Sequence, residues 1–168
     1  MRFTPADVRF VTGMIGHHAQ ALVMAGLAPS HGASASLRTL AARIINAQRD
    51  EIALMEQWLR DRGQPVPRVR VEGTELVVHG AEHALHMPGM LTPEQLRELD
   101  MARDAEFDRL FLTYMIQHHR GAVTMVEELF ATDGAAQDEA VFKLASDVQV
   151  DQTTEISRME LMLAALSR

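Results

Sequence analysis

The chain carries one helical pattern twice. Phe10, Met14, Ile15, His17, His18, Ala21 and Met24 recur as Phe111, Met115, Ile116, His118, His119, Ala122 and Met125, at a constant offset of 101 residues. Asp7 and Asp108 precede the two copies at the same offset. A repeat of this length is one supersecondary unit used twice, and each copy needs the other to bury its apolar face. The repeat keeps polar residues as well as apolar ones, so it points to a pair of equivalent sites. Four of the eight histidines lie in it.

The spacing of apolar residues predicts helices. Thr4-Pro5-Ala6-Asp7 reads as a cap, a first-turn proline and an early acid, and a helix is expected from there to about residue 28. Pro29 and Gly32 break it. A second helix is expected over about 34–62, ending at Gly63 and Pro65. Residues 63–91 hold five prolines and glycines before residue 81 and two after it, so no long helix fits, only a short one over 80–86. Thr92-Pro93-Glu94-Gln95 resembles a capping box and opens a short helix to about residue 101. Further helices are expected over 104–131 and 137–166.

The inner stripe of the second helix reads Leu37, Ala41, Ile44, Gln48, Glu51, Met55, Trp58. That of the last reads Val141, Ala145, Val148, Gln152, Glu155, Met159, Met162, Leu166. Each is a bundle seam broken by Gln and then Glu, 104 residues apart. The repeat is therefore a helical hairpin, and the expectation is an all-α four-helix bundle. One domain is expected over 1–168, with repeat one at about 5–62, a long irregular connector at 63–91 and repeat two at 92–167. Hydrophobic residues are 47% of the chain and aromatics only 5%, so aliphatic residues and Met must fill the core.

The net charge of −7 argues against a nucleic-acid partner. The absence of cysteine removes disulfides, thiolate catalysis and zinc fingers. No apolar run approaches the roughly 20 residues of a membrane span. No phosphate loop or nucleophile elbow is present, so binding is expected rather than catalysis. The inward positions converge on metal-ligating chemistry: His and Met are the side chains that soft and borderline metals prefer. The candidate ligands are Met14, His17, His18, Met24, Glu51 and Met55 in the first repeat. In the second they are Met115, His118, His119, Met125, Glu155 and Met159. Gln48 and Gln152 are expected to support these groups rather than ligate. Folding the first hairpin about residue 31 sets His17 and His18 level with residues 44–45, Met14 with Gln48 and Val11 with Glu51. Gln48 and Glu51 then fall within about a turn of the Met-His cluster and have the histidines as nearest candidate partners. A second cluster, His79, His83, His86, Met87 and Met90, falls in the connector; on a helical turn its three histidines would share a face. The methionines would serve equally as core filler, and the His–Glu–Gln set as a structural hydrogen-bond network.

Taken together, the doubled Met-Ile-x-His-His-x2-Ala-x2-Met, the two Gln-x2-Glu-Ile-x2-Met segments (Gln48–Met55 and Gln152–Met159) and Met87-Pro88-Gly89-Met90-Leu91-Thr92 resemble the bacterial DUF305 family. The resemblance covers nearly the whole chain; Arg120-Gly121 after the second His pair departs from it. It implies a ferritin-like bundle, export to the periplasm or the medium although no signal peptide opens the sequence, and, in some members, copper binding linked to resistance. The expected cargo is a metal ion, copper as Cu(I) foremost, with iron, manganese and zinc left open and no protein partner identified. Two other readings compete. One is a ferritin-like iron or manganese oxidase or peroxidase, although no Glu-x-x-His occurs on the long helices and the carboxylate set of a di-iron site is short. The other is a stress-related interaction module with a structural His network. Metal needs neutral imidazole, so binding is expected to weaken as pH falls through about 6.5.

Overall fold

Among residues 2–167, which the computed structural model describes, four of the five α-helices open on a side-chain cap. Helix α1 (Pro5–Gly26) starts with a reciprocal box: the Thr4 hydroxyl accepts from the Asp7 N–H, and Asp7 accepts from the Thr4 N–H. Helix α2 (Ala35–Asp61) is capped by Ser34, and α3 (Pro93–Met101) by the Thr92–Gln95 box. Helix α4 (Asp104–Ala131) has no side-chain cap; in α5 (Glu139–Leu166) Asp138 accepts from the N–H groups of Ala140 and Val141. The four long helices match the periodicity reading to within a few residues at each end. Helices α1 and α2 form one antiparallel hairpin, α4 and α5 the other.

The connector departs from the expected irregular chain. It holds an antiparallel β-hairpin, β1 (Arg68–Glu72) and β2 (Glu75–His79), with Val69 opposite Val78 and Val71 opposite Leu76. Gly73, with φ 65°, supplies the left-handed residue that its tight turn needs. A 3-10 turn (Glu82–His86) follows. Leu76, Val78, Ala81 and Ala84 pack on Ala19, so the connector covers the outer face of α1. In consequence every residue of α1 from position 10 to 21 is buried.

The core has two apolar clusters, one toward each end of the bundle. Ala21, Met24, Leu37, Ile44, Phe107, Phe111, Met115 and Met159 belong to one; Phe10, Met14, Met55, Trp58, Met125, Val141 and Val148 to the other. Each end of α1 meets the opposite end of α4, so the two helices cross antiparallel. The α2 stripe is buried throughout. The α5 stripe is buried only as far as Met159: Met162 is half-buried and Leu166 is 46% exposed, so the last turn leaves the seam.

The repeated aspartates tie the hairpins to each other. Asp7 lies fully buried, and its Oδ1 accepts from the Ala136 N–H in the turn before α5 at 2.7 Å. Asp108 does the same for the Ser34 N–H at the start of α2, at 3.1 Å. Each first helix thus holds the turn of the other hairpin. Asp138 closes the same end through the Trp58 indole N–H and Arg62, whose guanidinium also stacks on the Trp58 ring at 4.4 Å.

Removing Asp7 leaves two backbone N–H groups without an acceptor, one of them buried, and Asp108→Ala leaves one. Asp7→Ala is expected to cost about 2–3 kcal/mol and Asp108→Ala about 1–2. Urea denaturation followed by far-ultraviolet circular dichroism reads both; equal costs would show that the cap adds nothing to the clamp.

Candidate metal centre

Between the two apolar clusters lies one polar layer. His17, His18 and His119 are 0% exposed, His118 1%, Gln48 and Gln152 1% each, and Glu51 7%. His17 from α1 and His118 from α4 meet face to face, with ring centroids 3.8 Å apart and planes tilted by 36°. His118 and His119 have centroids 6.2 Å apart. The two histidine pairs therefore form one cluster on the bundle axis, not two separated sites.

The outer member of each pair is held by its own hairpin. His18 Nε2 lies 2.8 Å from Glu51 Oε1, and His119 Nε2 lies 2.7 Å from Glu155 Oε1. Level-for-level counting about residue 31 sets Glu51, with the histidines as its nearest candidate partners, within about a turn of the Met-His cluster. The slant of helical side chains closes that distance: each leans toward its own N-terminus, so in an antiparallel pair they lean toward one another. His17 Nε2 bonds the Pro88 carbonyl of the connector at 2.9 Å. A carbonyl only accepts, so this nitrogen carries the proton of the neutral ring.

The remaining nitrogens have nothing. Among the described residues, nine buried side-chain atoms lack a hydrogen-bond partner, and all belong to this layer: Nδ1 of His17, His18, His118 and His119, Nε2 of His118, both amide atoms of Gln48, Gln152 Nε2 and Glu51 Oε2. His118 lies near the His17 carbonyl without reaching hydrogen-bond geometry. Burying a polar atom without a partner costs about 1–3 kcal/mol, so a layer of this kind is expensive as it stands. A neutral imidazole with Nε2–H held by an acceptor exposes a lone pair at Nδ1. That is the orientation in which a carboxylate or carbonyl readies a histidine for a metal.

Burial sets the charge state. It pushes His17 and His18 down to about 3, with the neighbouring imidazoles adding to the effect, and it lowers His118 well below the usual range. All three rings are neutral at pH 7. Burial also pushes Glu51 up to about 7. Asp151, facing it from α5, is raised to about 6 by burial and by the Glu51 charge.

The methionines flank this layer. Met14, Met55 and Met125 sit in the apolar cluster on one side and Met24, Met115 and Met159 in that on the other. Among the described residues, no three His, Asp or Glu side chains are already grouped as a metal site. Glu51 and Glu155 each have one oxygen engaged with a histidine.

The connector histidines do not share a face. His79 ends β2, exposed; His83 bonds the Thr12 hydroxyl and the Arg9 carbonyl; His86 is exposed beside Met87 and Met90. The strand and the 3-10 turn replace the single helical turn that would have aligned them. Two partners of the layer were not read from the sequence, the Pro88 carbonyl and Asp151; nor was Gln20, which grips both the N–H and the carbonyl of Leu91 and so holds the connector. Glycines seat the connector here. A Cβ on Gly16 would overlap Ala84, and one on Gly121 would overlap the Pro88 carbonyl.

No curated protein sequence matches the chain. Solved structures do. A DUF305 fragment from Deinococcus radiodurans is 32% identical, with 98% of this chain and 99% of that one covered and a TM-score of 0.80. A DUF305 protein from Streptomyces coelicolor, inferred to be secreted, is 25% identical over 96% and 92% of the two chains, TM-score 0.79. CopM, solved in Cu(I)-, Cu(II)- and Ag-bound forms, is 28% identical; the Cu(I) form covers 98% of each chain with a TM-score of 0.70. The fold is ferritin-like: a dodecameric thioferritin of Bacteroides fragilis superimposes with a TM-score of 0.66 at 11% identity, over 96% and 86% of the chains. The family model described as a domain of unknown function, DUF305, matches residues 7–163, and the chain belongs to that family.

Proposed function

We propose that this protein binds a soft metal ion, Cu(I) foremost, in the single histidine layer of its bundle, as cargo to be sequestered or passed on, in the manner of a resistance protein. The observation that carries the reading is the set of unpaired Nδ1 atoms in a sealed core. The Nδ1 atoms of His17, His18, His118 and His119 would hold the ion, with thioethers from the flanking methionines. Glu51, Glu155 and the Pro88 carbonyl orient the rings. Cu(I) accepts few ligands and favours imidazole and thioether, which suits a layer with no ready carboxylate group. CopM, similar along its whole length, is known in Cu(I), Cu(II) and Ag forms, and the secreted relative supports an exported protein. Among the described residues no helix is long and apolar enough to cross a membrane.

Cu(I) titration against a competing chelator is expected to give affinity well below about 1 μM. Both hairpins feed one layer, so His18→Ala and His119→Ala should each weaken binding by at least about tenfold, the single-contact scale, not halve the stoichiometry. Binding no better than micromolar, unchanged by replacing all four paired histidines, would sink the proposal.

A structural network and a binding site differ in what His118 is worth. Both its ring nitrogens lack partners in the metal-free protein. His118→Leu is therefore expected to stabilise the metal-free protein by about 1–3 kcal/mol while weakening Cu(I) binding. Thermal denaturation with and without Cu(I) measures both; a destabilised metal-free variant would favour the structural network.

Acid should act in a lower window than free histidine implies. Between pH 6.5 and about 3 the unfolded chain binds protons that folded His17 and His18 refuse, so stability falls as pH drops. Glu51 works oppositely, taking its proton first in the folded state between about 7 and 4.5. Asp151, raised to about 6, acts in the same direction as Glu51 down to about 3.8. These carboxyls offset part of the histidine effect down to about pH 4; below that the histidines act alone, at about 1.4 kcal/mol per pH unit each. The same depression moves proton competition at His17 and His18 for bound metal from about 6.5 down toward about 3. Urea midpoints and Cu(I) retention between pH 7 and 3.5 test this; metal release at pH 6 would contradict it.

A further inference from the structure

The four imidazoles are sealed from solvent, so an ion that reaches them must pass between elements. On the α1–α4 side the way is shut. Met87 lies against Gly13, Ala84 against Gly16, and Pro88 and Gly89 against Gly121, at distances that leave no room for even a Cβ at the latter two glycines. Pro88 is also bonded to His17. The α2–α5 side is different. These helices pack less closely than α1 and α4, and between them runs an open groove of about 660 Å³. Glu51, Leu54, Trp58, Asp147, Val150 and Asp151 line it.

Glu51 connects this groove to the layer. One of its oxygens holds His18, and the Asp151 carboxyl on α5 lies close enough to Glu51 to interact with it. The side chains of Glu51 and Glu155 are 9% and 17% exposed, against 0% for His18 and His119. The carboxylates are thus the part of each His–Glu pair that touches solvent. The other charges at the mouth are Asp61 and Arg62 on α2, and Lys143 and Asp147 on α5. Lys143 is paired with Asp147, and Arg62 with Asp138, so among the described residues no free cation lines the entrance. Leu54 and Val150 are 62% and 65% exposed at its lip.

We infer that the α2–α5 groove is the port through which the cation enters and leaves the histidine layer, with Asp151 drawing it in and the Glu51 carboxylate passing it to His18. This rests on the proposed metal binding, and adds the route. A charged cleft with low-dielectric walls raises the local concentration of the opposite charge and hence the rate of association.

The test is stopped-flow loading of the whole protein with Ag(I), followed by Trp58 fluorescence, beside equilibrium titration. Asp151→Asn is expected to slow loading by about threefold to tenfold at low salt, with the difference fading as salt screens the charge. Leu54→Phe combined with Val150→Phe narrows the groove and should slow loading and release together, with Kd within about twofold of the unaltered protein. Glu127→Gln on the exposed face of α4 removes the same charge elsewhere and should change neither. Loading that ignores the groove variants but quickens when Met87→Ala loosens the connector would overturn the route and leave the metal site standing. Failure of the unaltered protein to bind Ag(I) or Cu(I) would overturn both.

Discussion

Everything in this bundle is arranged around a layer that the protein cannot satisfy by itself. Four imidazoles meet at one level, and each keeps a nitrogen with no hydrogen-bond partner. A core that merely needed polar registration would pair these atoms or replace them with apolar groups, because an unpaired buried atom costs more than either. The chain instead spends acceptors on the Nε2 side of three rings and leaves Nδ1 bare. Burial then keeps His17 and His18 neutral far below the pH at which free histidine charges. Neutral rings with bare lone pairs are poor structural elements and good ligands.

The elements around the layer follow from keeping it dry and fixed. The Asp7 and Asp108 clamps hold the turns of the opposite hairpins, which fixes the antiparallel crossing and so the level at which His17 meets His118. The connector takes over the outer face of α1, and one of its carbonyls becomes a partner of the layer. This is an asymmetric device on a repeated frame. Gly13, Gly16 and Gln20 in the first copy stand where Tyr114, Gln117 and Gly121 stand in the second. The connector touches Gly13, Gly16, Gln20, Gln117 and Gly121.

That asymmetry explains what could and could not be read from the chain. The four long helices, the inward Gln and Glu of α2 and α5, and the buried His pairs follow from period and repeat, because a doubled pattern with polar residues at fixed steps has few other solutions. The pairing of the hairpins into one cluster did not follow, since spacing within a helix says nothing of which helices meet. The β-hairpin was hidden by its prolines and glycines, although Arg68-Val69-Arg70-Val71 alternates as a half-covered strand does. The positions where the two copies disagree held the missing signal. Small residues on the face of a helix, where its twin carries large ones, mark the approach of another backbone.

The same reasoning sets the price of selectivity in such a site. A layer that bound its ion through carboxylates would also take iron, manganese or zinc, which favour oxygen or mixed ligands. Here each inward glutamate already has one oxygen on a histidine, so the charge it carries is used to orient nitrogen rather than to hold the ion. The thioethers wait on both sides in apolar surroundings, where only an ion willing to shed its water would follow. A hard, strongly hydrated cation gains too little from imidazole and sulfur to offset that loss. On the proposed reading, selection in this bundle would rest on what the core withholds, oxygen ligands and water, as much as on the nitrogen and sulfur it offers.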